Sequence, residues 1–301
     1  MTAAIELVEV SARDGLQNET VLLSTDQKIA LIRRSLAAGF RRIEVASFVH
    51  PRRVPQMADA EAVCAGLPLL EGATTIGLVL NRRGAERALL TRVDELGAVA
   101  SASDGFGIAN QGRTSDETVE DAIGIVELAR SSGRRAQVTI SVAFGCPFDG
   151  EVPSDRVAAI ARRLAGAGPV EIALGDTIGV ATPADVARTL AAVRAAAPGL
   201  PIRCHFHDTR NTAVANGWTA LQHGAATLDG AIGGIGGCPF APGATGNVAS
   251  EDLLYMLGRA GVATGIDLDA VIATAQWLSD AMGRSLPGRV SRAPAFPGRP
   301  V

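Results

Sequence analysis

The sequence predicts a (β/α)8 barrel with an appended C-terminal helix, and three observations carry the prediction. Short apolar, β-branched runs alternate with longer segments of helical periodicity along nearly the whole chain. The short runs are continuously apolar rather than alternating, which is how strands of a parallel sheet covered on both faces read. Eight such strand–helix units fit between about residues 5 and 262, the number that closes a barrel. An open doubly wound sheet is the competing arrangement, but no GxGxxG follows the first strand.

The strand candidates, in order, are IELVEV (5–10), RIEVAS (42–47), TIGLVL (75–80), AVASAS (98–103), VTISVAF (138–144), VEIAL (170–174), RCHFH (203–207) and TLDGAIG (227–233). Helical stretches such as TVEDAIGIVELARSSG (118–133) and PADVARTLAAVRAAAPG (183–199) lie between them. The second carries an early proline and a closing Pro-Gly, a start and a stop signal. Beyond the eighth unit, EDLLYMLGRAG leads to LDAVIATAQWLSDAMG (268–283), read as a helix that caps the barrel or lines a subunit contact. The tail SLPGRVSRAPAFPGRPV is rich in Pro and Arg and expected to be irregular. No repeat beyond the β/α unit and no linker interrupts the chain. It reads as one domain, 1–301, with the barrel over about 5–262 and the helix and tail over 263–301.

Composition narrows the function classes. With 47% hydrophobic and 20% charged residues among 301, a large core is easily buried and disorder is excluded. A net charge of -3 argues against a nucleic-acid partner. No apolar run reaches the ~18 residues that span a bilayer. The strand-like start leaves no room for a signal or transit peptide. Cysteines 64, 146, 204 and 238 form no CxxC pair, so a reducing cytoplasm is expected. The one lysine, Lys28, sits in the helical pattern STDQKIALIRRSLAAG and is expected on the solvated surface. A Schiff-base enzyme would need a desolvated lysine in a pocket.

In barrels of this kind the chemistry collects where strands end at the C-terminal face. Strand one ends in SARDGLQNE, placing Arg13 and Asp14 at the mouth. Glu44 stands inside an apolar strand and needs a partner, for which Arg13 on the neighbouring strand is the natural choice. Asp176 follows strand six in LGDTIG, where it could also cap the next helix. In RCHFHDT, His205 and His207 share one strand face, while Cys204 and Phe206 point toward the helices. Two imidazoles beside Asp14, with an amide oxygen, suit Mg2+ or Mn2+; zinc with a cysteine ligand is the alternative. His50 and His223 read as ordinary loop and helix-end residues. After strand eight comes GGIGGCPFAPGATGN (233–247). Its glycines allow movement and close backbone approach, and Cys238 within it reads as an acid or base carried in when the loop closes.

Assembled, RDGLQNE (13–19), IEVASFVHPRRVPQM (43–57), GCPFDG (145–150), LGDTIGVATP (174–183), HFHDT (205–209) and GGCPFAPGATGN (236–247) resemble the 3-hydroxy-3-methylglutaryl-CoA lyases, a family of metal-dependent TIM-barrel lyases. The resemblance implies a metal held by Asp14, His205, His207 and Asn247, and Arg13 steadying the thioester enolate oxygen. It implies Cys238 as catalytic thiol, with Glu44, Asp176 and His205 assisting proton transfer, and a pocket including Gln17, Ser47, Thr139 and Ala173. The implied reaction yields acetyl-CoA and acetoacetate, as in leucine breakdown, by a cytoplasmic homodimer or higher homo-oligomer. Several positions depart from the family pattern. Thr20 replaces lysine, Thr139 tyrosine and Ala173 serine; Ile108 and Ala109 replace a basic pair in the loop after strand four, and Arg210-Asn211 a Tyr-Gly pair. Losing the two hydroxyls implies a roomier, less polar acyl pocket. A lyase of another 3-hydroxyacyl-CoA is therefore the alternative, ahead of an isopropylmalate-synthase-like condensing enzyme.

Overall fold

The computed structural model of the chain describes residues 4–68, 72–237 and 246–294. Eight parallel strands close into a barrel in sequence order: β1 Glu6–Glu9, β2 Arg42–Ser47, β3 Thr74–Val79, β4 Glu95–Ser101, β5 Arg135–Ser141, β6 Ile172–Asp176, β7 Ile202–Phe206 and β8 Thr227–Gly230. All eight strands fall where apolar continuity placed them. β4 and β5 begin three residues earlier than expected, because Glu95 and Arg135 are polar ends that pair with each other across the ladder. Helices α1 Thr25–Ala37, α2 Ala60–Gly66, α3 Arg82–Leu89, α4 Asp104–Gln111, α5 Ser115–Ser131, α6 Ser154–Ala165, α7 Pro183–Ala196, α8 Ala213–Gln222 and α9 Ser250–Arg259 cover the outside.

Local chemistry sets where these helices begin. Capping boxes Ser24/Gln27, Thr114/Glu117 and Thr182/Asp185 satisfy the first backbone N–H groups of α1, α5 and α7. The segment after β4, expected to be a loop, is the helix α4: the Ser103 side chain accepts from the Phe106 N–H and so starts it. Ile108 and Ala109 therefore lie on a helix.

The appended helix forms as expected, α10 Leu268–Met282, and buries Val271, Thr274, Ala275 and Leu278. It packs against α1, with the Asp267 N–H donating to Ala38 O at 2.8 Å. The tail is irregular but anchored. Arg284 donates to both oxygens of Glu19 at 2.7 Å, and the Gly288 N–H reaches Gly233 O at 2.9 Å.

Lys28 overturns its expectation. It is buried, and its ammonium donates to Asp59 Oδ1 at 2.6 Å and to the Gln56 carbonyl, tying α1 to the segment before α2. Helical periodicity placed it correctly on a helix, but only the packing of α1 against residues 55–59 shows which partners would bury it. It still lies outside the pocket described below.

Directly paired residues of a parallel ladder share a face. The pairs Thr139↔Ala173, Ala173↔Arg203 and Gly175↔His205 therefore put these side chains on the barrel axis. Between Glu44 and Ala46 the register of β2 slips by one, so Glu44 pairs with Ile76 and Ser47 with Leu78. Barrel interiors are usually filled by branched apolar residues, but this one is charged. Arg42 contacts Glu95 at 2.8 Å and Glu171 at 3.2 Å. Arg203 contacts Glu44 at 3.3 Å, Asp229 at 3.4 Å and Glu171 at 3.6 Å. Buried ions are tolerated only when paired in this way.

Candidate active site

The chain turns sharply after β1: Ser11–Gly15 forms one wide helical turn, with the Gly15 N–H returning to Val10 O at 3.1 Å. That turn presents Arg13 and Asp14 over the barrel mouth. Arg13 Nε donates to Glu44 Oε2 at 2.6 Å, and the same guanidinium holds Asp14. The expected Arg13–Glu44 pair therefore forms. Burial disfavours charge on Asp14, yet Arg13 and the two histidines hold its carboxyl well below the usual range. Burial likewise opposes charge on Glu44, and Arg13 with Arg203 lowers its pKa despite that.

Asp14, His205 and His207 each bring one ligand atom into a group spanning no more than 4.8 Å. Asp14 Oδ2 stands 3.8 Å from His205 Nε2 and 3.6 Å from His207 Nε2. These distances exceed hydrogen-bond reach but suit atoms sharing one ion. Asn247 pairs with His207 across an isolated bridge; its Nδ2 donates to Ile235 O at 3.1 Å. Its Oδ1 is buried without a protein hydrogen bond. An orphaned amide oxygen beside a carboxylate and two imidazoles is the donor set a hard divalent cation takes. The residues fit such an ion.

His205 Nδ1 meets Asp229 Oδ1 at 2.8 Å, leaving Nε2 to face Asp14. Burial works against its charge, but Asp229 and, beyond it, Asp14 push its pKa up to about 9. Asp229 and Arg203 are the residues the sequence reading missed. Both are charged residues inside apolar strands, the signal that singled out Glu44, and Arg203 shares the period-two face of His205 and His207.

The pocket around this cluster is lined by Arg13, Asp14, Gln17, Glu44, Thr139, Arg203, His205, His207, Asp229 and Gly237, among others. Gln17 contributes a buried Oε1 without a partner. Ser47 is fully buried, its hydroxyl unpartnered, and does not line the pocket. Ala173 is fully buried and also outside the lining. Arg203, paired with Ala173 across the ladder, donates from Nη2 to Gln137 Oε1 at 2.8 Å. Asp176 is buried behind the lining residues Gly175 and Thr177, its oxygens accepting the Val180 and Ala181 N–H groups at 2.9 and 3.1 Å. Burial raises its pKa. Val142, at the end of β5, is β-branched with φ 50°, a costly conformation. Its N–H reaches Thr177 Oγ1 at 2.9 Å, which leaves the Thr177 hydroxyl proton free to donate into the pocket.

Cys238 lies outside the described residues, within 238–245. Its neighbour Gly237 lines the pocket and accepts from Asn18 Nδ2 at 2.8 Å. Gly246 lies so close to Gly236 that an added Cβ would stand 2.5 Å from Gly236 O. Gly236 and Gly246, which flank residues 238–245 on either side, therefore stand against each other beside the site.

A (β/α)8 barrel whose mouth gathers a carboxylate, two imidazoles, a guanidinium and an orphaned amide oxygen belongs to the barrel enzymes. Comparison with known proteins makes this particular. The HMGL-like family model matches residues 4–278. The (R)-citramalyl-CoA lyase of Chloroflexus aurantiacus is 44% identical, covering 98% of this chain and 96% of that protein. The hydroxymethylglutaryl-CoA lyase of Bacillus subtilis is 40% identical, covering 95% of each. Among solved structures, the hydroxymethylglutaryl-CoA lyase of Pseudomonas aeruginosa superposes with a TM-score of 0.93 at 40% identity, covering 97% of both chains. The chain belongs to the HMGL-like family and is a carbon–carbon lyase of the hydroxymethylglutaryl-CoA lyase type.

Proposed function

We propose that this enzyme is a divalent-metal-dependent lyase that cleaves 3-hydroxy-3-methylglutaryl-CoA to acetyl-CoA and acetoacetate. The observation that carries the reading is the Asp14–His205–His207 cluster beside Arg13 in one pocket, with the orphaned Asn247 oxygen on the residue bridged to His207. When bound there, Mg2+ or Mn2+ supplies Lewis acidity toward the substrate's hydroxyl and carboxylate oxygens. The chain's own groups do the rest. Glu44 or His205 takes the hydroxyl proton as C3–O becomes a carbonyl, and the C2–C3 electron pair passes to the thioester as an enolate. Arg13, oriented by Glu44, offers its guanidinium to the enolate oxygen. The Cys238 thiol then protonates the acetyl carbon; the sequence motif and the position of Gly237 support that role. His205 and Glu44 stand within the pocket for proton transfer. Asp176 contributes by holding the β6–α7 loop.

A second reading has specific support: the Chloroflexus relative is named for (R)-citramalyl-CoA, an ester one methylene shorter. The bond broken and the roles above are unchanged. We also propose a cytoplasmic homo-oligomer acting in leucine breakdown. No helix among the described residues is long and apolar enough to cross a membrane.

The deciding experiment is a panel of 3-hydroxyacyl-CoA esters with purified enzyme and Mg2+ or Mn2+, read by mass spectrometry. Preferential release of acetoacetate from the methylglutaryl ester is expected. Cleavage of the citramalyl ester alone would install the second reading.

A further inference from the structure

Among the described residues Arg203 is the largest fully buried side chain, and it lines the pocket. Its Nη2 donates to Glu44 Oε1 at 3.3 Å, and its Nε forms an ion pair without a hydrogen bond with Asp229 Oδ2 at 3.4 Å and with Glu171 Oε2 at 3.6 Å. Glu44 and Asp229 each spend the other oxygen on a site residue. Glu44 Oε2 accepts from Arg13 Nε at 2.6 Å, and Asp229 Oδ1 accepts from His205 Nδ1 at 2.8 Å. One rigid guanidinium therefore sits between the two carboxylates that aim the two halves of the site: the cation over the thioester and an imidazole of the metal cluster.

We propose that Arg203 is a positioning residue that sets Arg13 and His205 together by holding Glu44 and Asp229 in one fixed arrangement. The proposal rests on the lyase reading above. Its geometry requires a planar fork with separated donors; a lysine ammonium in the same place carries the charge but cannot reach both carboxylates. Arg42 makes the contrast. It is a second arginine in the barrel, paired with Glu6, Glu95 and Glu171; it shares Glu171 with Arg203 but touches neither Glu44 nor Asp229. If Arg203 served only to neutralise buried carboxylates, the two arginines would behave alike.

The test compares Arg203→Lys with Arg42→Lys in the full chain. Mn2+ titration by calorimetry should show affinity weakened about 10-fold in R203K, the lower end of the penalty for losing the direct partner of a metal-bound histidine, and near wild type in R42K. With the preferred acyl-CoA ester, kcat should fall at least about 10-fold in R203K, with a smaller change in KM. A crystal structure of metal-free R203K should show the Arg13–Glu44 and His205–Asp229 contacts opened beyond about 3.5 Å. If R203K does not fold, the charge-balanced pair R203M/E171Q replaces it with the same expectations. Wild-type Mn2+ affinity and kcat in R203K, equal weakening in R42K, or both contacts retained in the crystal would each overturn the proposal. If the wild type cleaves no ester, the lyase reading fails while titration and crystal structure still decide Arg203. If it binds no Mn2+, the crystal structure alone decides.

Discussion

At the barrel mouth Asn247 Oδ1 is buried without a hydrogen bond, and Asp14 stands beyond hydrogen-bond reach of either histidine. Such an arrangement is costly unless an ion supplies the missing interactions. His207→Ala should therefore weaken Mn2+ binding at least about 10-fold by calorimetry, and turnover should fall with it. Full turnover in a variant shown to be metal-free would refute the metal reading. The cysteines divide in the same way. Cys238→Ser should keep metal and substrate binding but lose about 10²–10⁴-fold in kcat. Cys204 is fully buried between barrel and helices, and burial pushes its thiol pKa up. Cys204→Ser should change thermal stability and leave kcat near wild type. Equal kcat losses in the two variants would show that the thiol at 238 has no special role.

Among the elements, the joint between β1 and α9 carries a titration. Glu9 is fully buried; its Oε1 accepts from the Ser11 and Ile232 N–H groups at 2.8 and 3.0 Å and its Oε2 from Ser250 Oγ at 2.6 Å. Burial outweighs these bonds and raises its pKa to about 7 from an ordinary 4.5. A carboxyl raised in the folded state contributes fully below pH 4.5, and that contribution is lost as pH rises through about 7. Above that pH the ionised group costs on the order of 3 kcal/mol. Glu9→Gln keeps a carbonyl acceptor for the two N–H groups and removes the charge. The stability of the variant relative to wild type should therefore rise between pH 5 and 8, read from denaturant unfolding at each pH. A pH-independent difference would mean that Glu9 stays ionised in the folded chain. The positive φ of Val142 is the other element-scale feature, since it turns the end of β5 so that Thr177 is held toward the pocket.

For the whole molecule, the barrel brings residues from the turn after β1, from β2, β7 and β8, and from the segment after β8 to one mouth. Chelation by EDTA should abolish turnover without unfolding the barrel, because the strand ladder and the charged pairs of the interior do not pass through the ion. Mg2+ or Mn2+ should restore activity, and circular dichroism should stay unchanged throughout. Loss of secondary structure on chelation would make the ion structural instead. The acyl pocket is also a whole-molecule property. Thr139 lines it as expected, but beside Ala173 the barrel places Arg203 and Gln137. Ala173→Ser should thus disturb the Arg203–Gln137 bond more than it alters preference between esters, compared through kcat/KM for the methylglutaryl and citramalyl esters.

The sequence alone determined the barrel, because each strand is a continuous apolar run and each helix carries its own periodicity and caps, all local properties. It also determined the facing of His205 and His207 and the Arg13–Glu44 pair, since period-two alternation and the cost of an unpaired buried charge are readable along the chain. Only the tertiary structure decided what those groups meet. Lys28 is buried because Asp59 and the Gln56 carbonyl happen to lie over α1, and α4 replaces a loop because Ser103 caps it. Arg203 gains its place between Glu44 and Asp229 from strands 159 and 26 residues away along the chain. Barrel closure sets such distances, and they leave no periodic trace in the sequence.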